Sequence, residues 1–337
     1  MNRKRAVDRL GADRRTFCGT ATAALAATRL GLLSVPARAA PNAWQLRQID
    51  AGLLSVAYAE AGPPSGPPVI LLHGWPYDIH SFDEVAPALA AKGYRAIAPY
   101  LRGYGPTRFL SADTMRNGQP AALASDTTAL MDALHIDRAV LGGFDWGGRT
   151  ADIVAALWPE RVKGLVAVSG YLIGSQAAGK QPLPPDAELQ WWYQYYFSTE
   201  RGRLGYEKNR HDFAKLIWKL ASPKWAFDDA TFDRSAAAFD NPDHVAIVIH
   251  NYRWRLGLAD GERQYDAIEQ RLAAGPTIGV PTITMEGDAN GAPHPPPVTY
   301  RGKFTGRYEH RTIVGGIGHD LPREAPRDFA QAIIDVA

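Results

Sequence analysis

Short, nearly continuous apolar runs recur along this chain, separated by longer stretches with helical spacing. Val69-Ile70-Leu71-Leu72, Arg95-Ala96-Ile97-Ala98, Ala139-Val140-Leu141 and Val162 to Val168 read as strands, and Val280 to Met285 resumes the pattern much later. Between them, Ser81 to Lys92, Ala124 to Leu134 and Arg149 to Trp158 read as helices, as does Pro326 to Val336. Strands that are apolar on both faces and alternate with helices predict an α/β fold, a mostly parallel sheet with helices on both sides. Sites in such sheets lie beyond the carboxyl ends of the strands.

The alternation breaks from about Tyr171 to Gly261, where helical spacing continues without clear strands and aromatic residues cluster at Trp191, Trp192, Tyr193, Tyr195, Tyr196 and Phe197. An inserted helical cap roofing the site is predicted, with an extra packing layer of no catalytic use as the alternative. The expected division is a core in two parts, residues 40–171 and 263–337, around a cap at 172–262.

Residues 1–39 follow other rules. Arg3, Lys4, Arg5 and Arg9 precede Arg14-Arg15-Thr16-Phe17, a small-residue apolar run and Ala37-Arg38-Ala39. This pattern predicts a twin-arginine signal read by the export machinery, cleavage near Ala39, and a periplasmic or secreted mature protein. The apolar run is short and interrupted by Arg29, so no stable membrane span is expected. Removing the segment takes eight Lys/Arg and two Asp/Glu, leaving 29 basic and 33 acidic residues, a mildly acidic chain with no basic stripe for nucleic acid. The single cysteine, Cys18, leaves with it, so neither disulfide nor thiol chemistry is expected of the mature protein.

Within the core, Gly142-Gly143-Phe144-Asp145-Trp146-Gly147-Gly148 places an acid between small residues at a strand-to-helix junction. That is the pattern of a nucleophile elbow, whose tight turn leaves no room for side chains on either side. A serine there suits acyl transfer; an aspartate forms an alkyl ester by displacement at an sp³ carbon, as in epoxide opening or carbon–halogen cleavage. An Asp capping a helix in a Gly-rich loop is the plainer alternative.

Three further places complete a candidate site. His73-Gly74-Trp75-Pro76 follows the first strong strand, so the backbone N–H of Trp75, with that of Trp146, can form an oxyanion hole. His73 itself is expected to be structural. Asp288 follows the strand ending at Met285, and His319 sits in Gly315-Gly316-Ile317-Gly318-His319 before the last helix. Asp145, Asp288 and His319 then stand in nucleophile, acid, base order, with Glu286 and, less favoured, Asp320 as rival acids. His319 would deprotonate the water that hydrolyses the ester.

With these motifs the chain resembles the α/β-hydrolase superfamily, in its branch of epoxide hydrolases and dehalogenases. His73-Gly74-Trp75-Pro76 is similar to the epoxide hydrolase H-G-x-P motif, and Phe144-Asp145-Trp146-Gly147-Gly148 to H-D-W-G-G with Phe replacing His. Arg102-Gly103-Tyr104-Gly105 resembles the R/K-G-Y-G segment. In the cap, Tyr193-Gln194-Tyr195-Tyr196-Phe197 and Asn251-Tyr252-Arg253 resemble the places of two tyrosines that polarise an epoxide oxygen, which implies catalytic roles for Tyr193 and Tyr252. Trp192 and Tyr196 are candidate pocket walls. Fluoroacetate dehalogenases carry D-R-G-G-R at the elbow, of which only the second arginine, Arg149, remains as a candidate substrate contact. Haloalkane dehalogenases share D-W-G and use that tryptophan on the halide, which keeps Trp146 in view as a substrate contact.

The resemblance implies an enzyme that opens a small hydrophobic epoxide to a diol and needs no cofactor or metal. A dehalogenase acting on a halide with the same triad is the first alternative, and a non-enzymatic ligand-binding protein on the same fold the second.

Overall fold

The structure, a computed structural model, describes residues 44–337. The export signal predicted at residues 1–39 lies outside the described residues. From the N-terminal side come β1 (Gln45–Ala51), β2 (Leu54–Ala61), β3 (Pro68–Leu72), α1 (Val85–Ala91), β4 (Arg95–Pro99), β5 (Arg108–Phe109), α2 (Pro120–Ala133), β6 (Ala139–Gly143), α3 (Asp145–Leu157) and β7 (Val162–Val168). A run of helices follows: α4 (Gln176–Gly179), α5 (Pro185–Gln190), α6 (Trp192–Ser198), α7 (Glu200–Ala221), α8 (Asp229–Ala236), α9 (His244–Arg255) and α10 (Asp266–Ala273). The core resumes with β8 (Thr282–Gly287), α11 (Pro297–Tyr300), β9 (Tyr308–Ile313), α12 (Leu321–Glu324) and α13 (Pro326–Val336).

These strands form one sheet in the order β1-β2-β4-β3-β6-β7-β8-β9, with β5 pairing β2. From β4 through β9 every pairing is parallel, while β1, β2 and β5 form an antiparallel margin. The fold is that of the α/β hydrolases. Successive positions of β6 show why both faces must be apolar: a side chain at Gly142 would meet Phe329 and Ile333 of α13, and one at Gly143 would meet Gly147 of α3. Val69, Ile70, Leu71 and Leu72 of β3 are all fully buried. Burial at about 1.5–3 kcal/mol per such side chain makes this strand a main anchor of the sheet.

Three helices begin elsewhere than the sequence predicts, α2 among them, which opens at Pro120 and not at Ala124. The stretch from Ser81 splits into a 3₁₀ turn, Ile79–Phe82, and α1 from Val85, because the Asp78 carboxylate caps the N–H of His80 and starts a separate turn. The helix behind the elbow starts at Asp145, four residues before Arg149. The insertion contains helices and no strand among its described residues, and β7 and β8 pair directly across it.

Candidate active site

Asp145 sits at the junction of β6 and α3 with φ +52°, in the left-handed region that a non-glycine residue seldom adopts. The strain is held by packing. A Cβ on Gly147 would lie 2.0 Å from the Leu72 carbonyl oxygen, and one on Gly74 would lie 2.4 Å from the Asp145 Cβ, so both positions must stay bare. Phe144, just before the nucleophile position, is fully buried and meets Tyr77, Phe82 and His319 at ring distances of 5.1, 6.1 and 6.2 Å. An apolar ring therefore supports the turn where the resembling motif has histidine.

The Trp75 backbone N–H donates to Asp145 Oδ1 at 2.8 Å. Its loop is fixed from two sides. Trp75 Nε1 donates to the Tyr206 hydroxyl at 2.9 Å, and Tyr206 pairs with His244, whose Nδ1 reaches the Gly103 carbonyl. His73 is structural: its Nε2 accepts from the Leu101 N–H at 3.2 Å, its Nδ1 lies 3.0 Å from the Gly74 carbonyl, and burial pulls its pKa down to about 4. The Trp146 N–H lies in the first turn of α3, where backbone donors have no partner within the helix.

His319 Nε2 stands 3.6 Å from Asp145 Oδ2. Burial works against the imidazolium, but contact with the Asp145 carboxylate, and the charges of Glu286 and Asp320, outweigh it and raise the His319 pKa above its ordinary value. For Asp145 the balance mirrors this. Burial penalises its carboxylate, yet His319, Arg149 and the Trp75 N–H together hold its pKa below the ordinary carboxylate value. The pair is set up with Asp145 as a carboxylate.

The orienting acid departs from expectation. Asp288 is exposed and accepts from the backbone N–H groups of Gly315, Gly316 and Ile317 at 3.1, 2.8 and 3.0 Å, which hold its pKa down. It braces the loop that carries His319 and does not bond the imidazole. Neither rival bonds the imidazole: Glu286 takes Asn290 Nδ2 at 2.7 Å, and Asp320 takes the Ser81 hydroxyl on Oδ2 at 3.1 Å while its Oδ1 is buried without a hydrogen-bond partner among the described residues. His319 Nδ1 is buried without a hydrogen-bond partner among the described residues. The loop is fixed instead through its backbone, with the His319 N–H on Ser222 Oγ at 2.9 Å and the Gly318 N–H on Glu324 at 2.7 Å.

Above the pair lies a cavity of about 440 Å³, which brings together Trp75, Asp145, Arg149, Tyr193 and His319. Tyr252 is buried one layer behind, its ring 5.3 Å from Tyr193, 5.2 Å from Trp75 and 5.9 Å from Trp146. Burial, and then the charge of Asp145, push the Tyr193 phenol up to about 12. The Tyr252 phenol moves the same way, through burial, Tyr193 and Asp145. Both therefore stay protonated at neutral pH. Trp146, read from the sequence as a substrate contact, is likewise behind the cavity wall: it is buried, and its indole Nε1 has no hydrogen-bond partner among the described residues.

Trp192 and Tyr196 are not on the cavity wall. They pack into an aromatic layer with Phe213, at ring distances of 5.4 and 6.0 Å. Trp191, one residue earlier, lines the cavity in their stead, because the break between α5 and α6 shifts which side faces inward. Sequence reasoning also missed Arg255 and His294, which line the same cavity. For Arg255, its place at the C-terminal end of a cap helix one turn from Tyr252 was the available signal.

A parallel sheet with an acidic elbow, a histidine loop beyond its last strand and a helical roof is the arrangement of a capped α/β hydrolase. Residues 67–204 match the family model for the alpha/beta hydrolase fold. A Klebsiella pneumoniae crystal structure, provisionally assigned as an epoxide hydrolase, is 66% identical and superposes with a TM-score of 0.86 over 87% of this chain and 97% of that one. Epoxide hydrolase A of Mycobacterium tuberculosis is 26% identical over 86% of this chain and 96% of its own length. A fluoroacetate dehalogenase from a Burkholderia species is 37% identical over 36% of this chain and 40% of the relative. The chain belongs to the alpha/beta hydrolase family and is an epoxide hydrolase-like enzyme of it.

Proposed function

We propose that the enzyme opens epoxides to vicinal diols through an ester on Asp145. The observation that carries this reading is the placing of Asp145 between the Trp75 N–H and His319, in a cavity that the protonated Tyr193 phenol lines with Tyr252 packed behind it. With Oδ1 held by Trp75, Oδ2 is the oxygen left to attack an epoxide carbon. The carbon–oxygen bond of the ring breaks, and the departing alkoxide takes a proton from Tyr193, which Tyr252 backs from behind the cavity wall. Water then attacks the ester carbonyl carbon while His319 accepts its proton. The N–H groups of Trp75 and Trp146 hold the oxyanion until the diol leaves and Asp145 is again a carboxylate. The His319 proton returns to the tyrosinate, so the cycle consumes one water and no other reactant.

Esterification also readies the base. Once Asp145 is alkylated its charge no longer supports the imidazolium, and burial, the largest influence on His319, then favours the neutral ring that can accept a proton.

The unpartnered Trp146 Nε1 favours a second reading, since a buried indole N–H without an acceptor is suited to hold a leaving halide. Incubation of the purified protein with matched epoxides and alkyl halides, with diol and halide measured in parallel, separates the two. Diol from epoxides supports the first; halide release without diol overturns it.

We also propose export by the twin-arginine route, supported by Arg14-Arg15 and Ala37-Arg38-Ala39. Replacing Arg14 and Arg15 together with Lys should leave the precursor in the cytoplasm, as fractionation would report; undiminished periplasmic protein would overturn the route.

A further inference from the structure

Two arginines stand unpaired in the cleft. Arg149 lies on α3, one turn beyond Asp145, and Arg255 is the last residue of α9. Both line the cavity over Asp145, and both also line a smaller cavity of about 210 Å³ that shares Leu172, Leu183 and Trp191 with it. Neither guanidinium forms an ion pair among the described residues. Arg149 Nε donates to the Leu172 carbonyl at 3.2 Å, and Arg255 lies over the Trp191 and Tyr252 rings at 5.1 and 5.8 Å. Burial, and then the neighbouring charge of Arg255, bring the Arg149 pKa down to about 10.

Two like charges in a half-buried cleft are costly unless an anion joins them. The carboxyl groups nearby are committed elsewhere. Asp145 is engaged by Trp75 and His319. Asp152 accepts the Leu172 N–H at 2.7 Å, and burial pushes it well up toward its neutral form. Glu188, which lines the smaller cavity, takes the Leu183 N–H at 2.7 Å and the Tyr195 hydroxyl. The guanidiniums, held by a carbonyl and by aromatic faces, keep their remaining N–H groups for a visitor, and planar forks of this kind suit a carboxylate.

We infer that Arg149 and Arg255 together receive a carboxylate carried by the substrate, so that the substrate class is epoxy acids and not neutral epoxides. The inference rests on the epoxide-opening function proposed above for the same cavity.

The test separates charge recognition from chemistry. In the first arm, calorimetric titration compares phenylacetate with phenylacetamide, which differ in charge and hardly in shape. The acid should bind about ten- to a hundredfold tighter, the scale of a charge-assisted hydrogen-bonded pair. Arg255→Gln should cut that ratio about tenfold, and Arg255→Lys, which keeps the charge, should retain part of it. Measurable amide binding to each variant shows that the cleft is still formed. Equal binding of acid and amide, or a ratio untouched by Arg255→Gln, would overturn the paired site. In the second arm, diol formation from glycidate is compared with that from glycidamide. A preference for glycidate that falls in Arg255→Gln supports the epoxy-acid class. Acid-selective binding with no diol from any epoxide would instead overturn the proposed reaction and leave the arginine pair standing.

Discussion

Replacing His319 with Gln tests the two-step mechanism at its weakest joint. Glutamine fills similar space but cannot accept a proton, so ester hydrolysis loses its base while alkylation keeps its nucleophile. The structure says why alkylation survives: Asp145 retains the Trp75 N–H at 2.8 Å and the charge of Arg149 after His319 is gone. Loss of a general base costs about 10²–10⁴ in rate. From an ordinary turnover of about 10 s⁻¹, hydrolysis would fall to about 0.1–0.001 s⁻¹, giving the ester a lifetime of about ten seconds to a quarter of an hour. Rapid mixing with an epoxide, acid quench and mass spectrometry of the intact chain should therefore show close to one adduct per protein, located on the peptide that holds Asp145. The adduct also reports the reaction, because an epoxide adds its whole mass whereas a halide adds its mass less the hydrogen halide. Substrate consumed in a burst with no adduct, or an adduct that persists in Asp145→Ala, would refute a carboxylate nucleophile.

Tyr193→Phe or Tyr252→Phe should slow alkylation about ten- to a thousandfold, with ester hydrolysis little changed, as single-turnover kinetics would show; loss of hydrolysis instead would reassign the phenols. Because Asp288 braces a loop and does not touch the imidazole, Asp288→Asn should cost about ten- to a hundredfold in turnover, and a loss near 10⁴ would mean that it orients the base directly. In wild type, once the ester forms and the Asp145 charge is gone, burial is opposed only by the lesser influences of Glu286 and Asp320, so hydrolysis of preformed ester should keep its rate as pH falls through the ordinary histidine value of 6.5. A drop centred above 6.5 would contradict that account. Gly147→Ala would drive a methyl into the Leu72 carbonyl and should destabilise the fold by about 3 kcal/mol or more, measured as a fall in the denaturation midpoint.

The central strands were legible because strands covered on both faces must be apolar, as β3 and β6 are throughout and β7 is beyond the exposed Lys163. The margins were not. Four of the first five residues of β1 are exposed and β9 is only partly covered, so Arg47, Asp50, Glu309 and Arg311 break the pattern that identifies a strand. At the site, Asp145, His319 and Trp75 announce themselves through tight local turns that only particular residues allow. The place of Asp288 depends on the path of a loop between β9 and α12, and nothing in Gly-Asp-Ala-Asn-Gly states where that loop runs. Trp191 against Trp192 is a matter of helix phase, and the break at the end of α5 resets it.

The side-by-side pairing of β7 with β8 has a consequence for how this enzyme can change. The helical segment leaves and re-enters the sheet at two neighbouring strand ends, so its length and sequence place no demand on strand register. Asp145 and His319 belong to the scaffold, whereas Tyr193, Tyr252, Trp191 and Arg255 all hang from the excursion. Exchanging the excursion would thus alter what the cavity admits while Asp145 and His319 stay in place, and transplanting the excursion would carry those preferences with it.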